Sequence, residues 1–466
     1  MIHKFELGGM YIVLDINSGG VHIVDKLTYT LLDYAAPPFA DECPPEILAQ
    51  MEEFDTEEVQ ECYGELASLY DSKILFSPDE YEKFAKYTTP APVKAMCLHI
   101  SHDCNLRCKY CFAATGDFGT GRKLMPVETG KKAIDFLLEH SGDRKNLELD
   151  FFGGEPLMNF DAVKEIVKYA RGREAEFGKR FRFTITTNGT LLNDDNIAFI
   201  NREMNNVVLS IDGRQEVNDR MRPTPNGKGT YDIILPKFKQ LVDARSRDKD
   251  WYVRGTFTKY NIDFSEDVFH LYEAGFDQIS VEPVVADPSL PYALTEEDIP
   301  AVCAEYEKLA ARILENDKAG KHFNFFHFMI DLNQGPCAIK RLRGCGCGNE
   351  YVAITPDGDI YPCHQFVGME DFKMGNLDEG TFDTEMKQRF AEAHIYNKPR
   401  CRDCWARFYC SGGCNANNFQ YQGDILQAHT LSCEFEKKRV ECAIMIQAVK
   451  MLAGAEPAQA GSFAKC

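Results

Sequence analysis

Apolar positions change their period along this chain, and the changes divide it. Two-residue alternation comes first: His3–Leu7, Tyr11–Ile16 and Gly20–Val24 read as strands, the last entered through an Asn17-Ser18-Gly19-Gly20 turn. Helical spacing follows over Lys26–Tyr34, Pro45–Met51 and Thr56–Ser72, with a short apolar return at Ile74–Phe76. This unit, residues 1–89, carries no metal-ligand cluster of its own, and Thr88-Thr89-Pro90-Ala91-Pro92 reads as a linker. A free strand edge there would add an extended peptide through backbone bonds. A cap over the next core is the competing reading.

Residues 93–316 alternate the two periods, the pattern of a parallel α/β architecture. Strands are predicted at Ala95–Ser101, Leu147–Phe152, Phe181–Thr187, Val207–Asp212, Tyr252–Thr258 and Gln278–Val285. Helices fall between and after them at Val127–His140, Asp161–Glu176, Asp194–Arg202, Tyr231–Ala244, Phe264–Ala274 and Glu296–Asn316. Six strand–helix repeats predict a partial (β/α)6 TIM-like barrel, whose ligands lie beyond the strand C-termini. Residues 317–450 form a cysteine-rich extension and 451–466 a Gly/Ala/Pro/Gln tail read as disordered, with no role for Cys466.

Composition narrows the class. At 466 residues, 44% hydrophobic and 27% charged, the chain suits two or three soluble domains. It shows no signal peptide and no apolar run of membrane-spanning length, so no membrane is expected and the location is read as cytoplasmic. A formal charge of −20 disfavours nucleic acid and suits a basic or cysteine-rich partner. Eighteen cysteines are too many for ordinary packing in a reducing compartment, where thiols bind metals or catalyse.

Cys104, Cys108 and Cys111 stand together in Ser101–Phe112, at the end of the first predicted barrel strand. Three thiolates so close hold an iron–sulfur cube by three corners and leave one iron open. Zinc competes, but it normally takes four ligands in paired C-x2-C spacing, and no fourth candidate is near. The C-x3-C-x2-C spacing, with Tyr110 before the last cysteine, resembles the signature of radical S-adenosylmethionine enzymes. That resemblance implies a [4Fe-4S] cluster whose open iron binds S-adenosyl-L-methionine.

Further candidates sit at the ends of the next strands. Gly153 and Gly154 permit close backbone approach, and Glu155 offers acceptors to an ammonium group. Thr187 and Asn188 follow the third strand, and Ser210 and Asp212, suited to ribose hydroxyls, end the fourth. Arg222 would clamp a carboxylate through paired bonds. Singly these are turn residues; in this order after the cysteine loop they resemble the family's cofactor loops. Glu282, ending the sixth strand, is a substrate or cofactor candidate, or a turn carboxylate.

Nine thiols then fall between Cys337 and Cys433, and paired zinc-ribbon spacing is met only once among them. The pattern is similar to the SPASM extension of radical enzymes, which carries auxiliary clusters in peptide maturases. The resemblance implies one [4Fe-4S] cluster on Cys401, Cys404, Cys410 and Cys433, and another on Cys345, Cys363 and Cys414. The fourth ligand of the second stays open between Cys337, Cys347 and no side chain; Cys345 fits the motif's C-G-x-G turn, and Cys347 departs from it. His364 is read as the base for a substrate thiol or as a hydrogen-bonded neighbour of the cluster.

The opening MIHKFELGGMYIVLDINSGGVHIVD is also similar to the SCIFF-peptide maturases, which form thioether cross-links in short cysteine-rich peptides. The implied enzyme joins a cysteine sulfur to a carbon of a residue such as threonine, using three clusters. Residues 1–89 become a winged-helix-like module that holds the leader of a precursor peptide. A small electron donor such as ferredoxin or flavodoxin is implied. Two alternatives stay open: oxidation of a Ser or Cys side chain, as in sulfatase-maturing relatives, and a non-catalytic iron–sulfur electron carrier.

Overall fold

Strands that alternate in burial flank one buried along its whole length, and together they build the sheet that frames this protein. The computed structural model describes residues 1–85, 90–332 and 338–454. Its central strands are β4 (Ala95–Ser101), β5 (Asn146–Gly153), β6 (Arg180–Thr187), β7 (Asn206–Ser210), β8 (Asp250–Phe257) and β9 (Gln278–Pro283), after β1–β3 of the N-terminal unit. They pair in parallel and in chain order, as successive strand–helix crossovers require. Leu147, Leu149 and Phe151 of β5 enter the core beneath the helices, while Asp150 and Phe152 face the other way. On β4, Met96, Leu98 and Ile100 face the helices and Cys97, His99 and Ser101 the opposite side. Each fully buried Leu or Ile stabilises by about 1.5–3 kcal/mol, so a one-residue slip in register is heavily disfavoured.

The six strands and their helices lie within a few residues of the predicted ranges. The largest difference is at Glu296, where a short 3-10 turn, Glu296–Asp298, precedes the helix Ile299–Lys318. Thr295 and Asp298 cap each other there, which moves the helix start past the acidic run.

The sheet continues at both ends. The two-residue β10 (Asn324–Phe325) adds in parallel to β9. Beyond β4, β11 (Tyr351–Ile354) joins in parallel, and β12 (Asp359–Tyr361), β13 (Gly375–Asn376) and β14 (Thr381–Phe382) follow antiparallel. Among the described residues, eleven strands therefore run in the order β10-β9-β8-β7-β6-β5-β4-β11-β12-β13-β14. The cysteine-rich extension thus grows from the strand that carries the first thiol loop.

At the N-terminus β1 (Ile2–Leu7), β2 (Met10–Asp15) and β3 (Val21–Val24) form an antiparallel sheet, followed by helices Lys26–Leu31, Pro45–Leu48 and Thr56–Asp71. The expected return at Ile74–Phe76 makes no strand. Phe76 takes φ +54°, and the chain turns so that Ser77 N–H meets the buried Asp15 carboxylate at 2.9 Å. Ile12 and Leu14 of β2 enter the main core and Val13 the unit's own helical core, so this sheet is shared between two cores. His3 stacks on Trp405 at 3.7 Å, and Arg407 donates to Asn17 (2.6 Å) and Asp79 (2.9 Å). The linker call falls partly on residues 86–89, and the tail call mostly on 455–466, outside the described residues.

A long helix, Thr430–Leu452, had no counterpart among the expected elements. It packs on Ile299–Lys318 and buries Val440 and Cys442–Ala448 without a break. With several faces buried it shows no single apolar stripe to read. Among the described residues no helix is long and apolar enough to cross a membrane.

Candidate metal centre

Three thiols hang from the C-terminal end of β4 on a loop that its neighbours hold from several sides. Cys104 N–H meets Asp103 Oδ1 at 2.8 Å, and Arg107 Nη1 donates to the Cys104 carbonyl at 2.7 Å. Arg107 and Lys109 N–H bond the carbonyls of Pro223 and Met221 at 2.8 and 2.9 Å. Behind the loop, Gly153 (φ +127°) and Gly154 press on it: a Cβ at Gly154 would lie 2.1 Å from the Asp103 carbonyl oxygen. The close approach permitted by these glycines is therefore to the thiol loop itself. Asn188 Nδ2 reaches Cys104 Sγ at 3.7 Å and Asn105 Oδ1 at 2.9 Å. Burial pushes the Cys104 and Cys108 thiols up to about 12, and Cys104 also feels Glu155, Cys108 and Cys111. Such thiols are held as thiolates only by a strong cation, which is what a metal supplies.

Tyr110, Asp212 and Arg222 make one buried network. The Tyr110 hydroxyl donates to both Asp212 oxygens (2.8 and 2.7 Å), while Arg222 Nε (2.9 Å) and Thr256 N–H (3.0 Å) donate to Oδ1. The Asp212 side chain is 0% exposed. Its Oδ1 is taken by three protein donors and its Oδ2 by Tyr110 alone, so the carboxylate positions Tyr110 and Arg222. Glu155 differs from expectation. Its oxygens accept from Leu157 N–H (3.1 Å), Thr187 Oγ1 (2.7 Å) and Asn188 N–H (2.8 Å), tying β5 to β6 instead of standing free for an ammonium group. Burial outweighs these bonds and lifts the Glu155 pKa to about 7. Ser210, at the end of β7, lies beside Arg254 of β8 and is half-buried.

Glu282 is not a free carboxylate. Arg254 donates to it, and His327 Nε2 lies 3.9 Å away. Burial opposes its charge, but Arg254 and His327 prevail and draw its pKa down to about 2. Arg254 was not among the residues expected to act. It faces the sheet interior and, after burial, helps hold His364 at a pKa of about 4. A charged residue late in an apolar strand run was the only signal for it.

The C-terminal thiols fall into two sets. Cys401, Cys404, Cys410 and Cys433 line one cavity of about 290 Å³, closed by Trp405, Glu436 and Lys437. The long helix supplies Cys433 from its first turn. In the second set Cys345, Cys363 and Cys414 act electrostatically on Cys347, and Cys347 donates its S–H to Cys363, which lowers the Cys363 pKa. Cys337 lies outside the described residues. His364 turns toward the first loop: its ring centroid is 5.4 Å from Phe112, next after Cys111, and 5.1 Å from Phe152 of β5.

Among the described residues no group of three His, Cys, Asp or Glu side chains stands ready to hold a single metal ion. The donors are nonetheless all sulfur: three in the first loop, four lining one cavity, and four brought near one another around Cys347. A cavity of about 290 Å³ walled by four thiols accommodates a cube of iron and sulfide better than one ion. Donor chemistry and space therefore fit iron–sulfur clusters.

Comparison with known proteins agrees. Residues 98–264 match the radical SAM superfamily and residues 345–405 the SPASM iron–sulfur cluster-binding domain. The cysteine-type anaerobic sulfatase-maturating enzyme of Clostridium novyi (strain NT) is 26% identical over 339 residues, 68% of this chain and 86% of that protein. The structure of native anSMEcpe with bound AdoMet superposes with a TM-score of 0.64 at 18% identity, covering 78% of this chain and 100% of the other. Streptococcus suis SuiB bound to S-adenosylmethionine gives 0.52 at 17% identity, over 92% of this chain and 98% of that one.

Proposed function

From the premise that this chain belongs to the radical SAM superfamily and carries an SPASM domain, we propose that it installs cysteine thioether cross-links in a ribosomally made, cysteine-rich precursor peptide. Cys104, Cys108 and Cys111 would hold the first [4Fe-4S] cluster, and the two C-terminal sets two more, with Cys347 as a fourth ligand beside Cys363. With S-adenosyl-L-methionine bound and one electron from a donor such as ferredoxin or flavodoxin, such a site would supply 5′-deoxyadenosyl radical chemistry.

This chain's own side chains then orient and protect. Asp212 fixes Tyr110 and Arg222, and Arg222 would use its terminal nitrogens to hold the methionine carboxylate. Glu155 fixes the Thr187-Asn188 turn beside Cys104. His364, neutral because burial and Arg254 lower its pKa to about 4, would orient the peptide thiol by accepting a hydrogen bond from its S–H rather than by keeping the proton. The observation that carries this reading is the His364–Phe112–Phe152 contact. It brings His364, the residue after Cys363, against Phe112 of the first loop and Phe152 of β5, and the proposed reaction would join a carbon centre and a sulfur between these two regions.

Residues 1–89 are assigned to leader binding as a winged-helix-like unit, and the central strands to a partial barrel. Among the described residues β3 is an outer strand of its sheet, ready to pair with an extended peptide. The SCIFF-like opening favours this substrate class. A second reading, oxidation of one Ser or Cys side chain, is favoured by the likeness to the Clostridium novyi enzyme.

Anaerobic co-expression with a short cysteine-rich peptide, followed by fragmentation mass spectrometry, separates the two. Cross-linking removes two hydrogens and joins two residues into one fragment. Loss of two hydrogens from a single, unlinked side chain would sink the thioether reading in favour of the second.

A further inference from the structure

Lys398 is 1% exposed, among the largest fully buried side chains of the protein. Its ammonium donates to the Gly412 carbonyl and to Asn415 Oδ1, each at 2.7 Å. Gly412 has φ +87°, and a Cβ there would lie 3.0 Å from Lys398 Cδ and 3.1 Å from Nζ, so the backbone is shaped around the amine. Burial lowers the Lys398 pKa, and the groups that act against that are all thiols: Cys401, Cys410, Cys414 and Cys345. Two belong to each C-terminal set.

A lone buried ammonium costs several kcal/mol unless anions lie close. Neutral thiols provide none; thiolates on a metal do. Gly412 and Asn415 flank Cys410 and Cys414, one thiol of each set, so the two hydrogen bonds tie the amine to the turn that joins the sets.

We propose that Lys398 is the shared internal cation of the two C-terminal clusters, raising the reduction potential of both and holding the turn that connects their ligands. This rests on the assignment of those thiols to clusters. Net charge and hydrogen bonding are among the main determinants of such potentials, and a cation in a dry interior acts more strongly than one at the surface.

The test is a redox titration followed by electron paramagnetic resonance on the reconstituted full chain. Cys104, Cys108 and Cys111 are replaced by Ala so that only the C-terminal clusters contribute. Lys398→Met is expected to lower both midpoints by at least tenfold in the reduced-to-oxidised ratio at fixed potential, about 59 mV for a one-electron couple. Lys398→Arg should keep most of that ratio. Lys437→Met, removing a half-buried cation near Cys404 and Cys433, should move one cluster only, and less.

Midpoints within threefold of the parent in Lys398→Met, or a shift in one cluster alone, overturn the shared-cation role. If Lys398→Met cannot retain iron, retention by Lys398→Arg supports the charge requirement; loss in both overturns it in favour of packing. Iron and sulfide absent from the parent protein would refute the cluster assignment itself, a different result from full clusters with unmoved potentials.

Discussion

The first thiol loop and the C-terminal thiol field use the same donor in opposite ways. Cys104, Cys108 and Cys111 come from one short stretch after β4, and Arg222, held by Asp212, is the cation that acts on Cys108. The eight described thiols from Cys345 to Cys433 come from turns, short helices and a long helix, and two from each set, Cys401 and Cys410, Cys345 and Cys414, act on the buried Lys398. A loop with three donors leaves a vertex for substrate. If each C-terminal set supplies four donors, as proposed, its cluster is closed and suits electron storage. The comparison locates bond-breaking chemistry at the first site and support at the second, and it can be broken experimentally.

The largest effect is expected at the first loop. Cys104→Ala should abolish 5′-deoxyadenosine formation by anaerobic, reconstituted protein with dithionite, a loss of at least roughly 10³-fold. Chromatography of the quenched reaction reads it directly. Cleavage at a parental rate would move the reactive vertex elsewhere. The second effect sharpens the contrast: Cys363→Ala should keep cofactor cleavage within about threefold while cross-linked peptide falls below detection. Loss of both activities together would erase the division of labour between the regions.

How far each region was legible follows from the same difference. The loop carries its three donors within a single motif, so spacing alone suggested the cluster. The alternating periods likewise exposed six strands, because each has one face in the core and one away from it. The C-terminal sets are assembled by tertiary contacts, and no spacing rule couples Cys433, on a helix without an apolar stripe, to Cys401. Charged residues were harder still. Asp212 and Glu155 looked like ligand contacts because a carboxylate at a strand end is usually open to solvent; here protein donors occupy both. Lys398 gave no sign beyond lying near a C-x2-C pair, since burial of a single lysine depends on walls drawn from the whole domain.

Glu155 offers a pH test of intermediate size on the metal-free protein. Its folded pKa, about 7, is above the ordinary carboxylate value of 4.5 because burial disfavours the charge. A raised carboxylate contributes its stability fully below the unfolded pKa and loses it as pH rises through the folded one. The wild type should therefore lose roughly 3 kcal/mol, relative to Glu155→Gln, between about pH 4.5 and pH 8. Urea midpoints across that window measure it. Parallel curves for the two proteins would mean that the hydrogen bonds from Thr187 and Asn188, not burial, set the charge state.

The smallest effect lies farthest from either thiol region. Removing residues 1–85 would be a poor test of leader binding, because Ile12 and Leu14 belong to the main core and His3 and Arg407 lock the unit to the extension. A point change on the outer strand β3 is cleaner. Ile23 is exposed, pairs with Ile12 of β2 and lies on the edge open to an incoming strand. Ile23→Asp adds a charge that an added strand would have to partly desolvate, with little expected consequence for the folded chain. Affinity for a leader peptide, followed by fluorescence anisotropy, should weaken about tenfold, near 1.4 kcal/mol, with 5′-deoxyadenosine formation unchanged. Unaltered affinity would detach peptide capture from this edge and leave the thiol regions as the only sites that recognise the substrate.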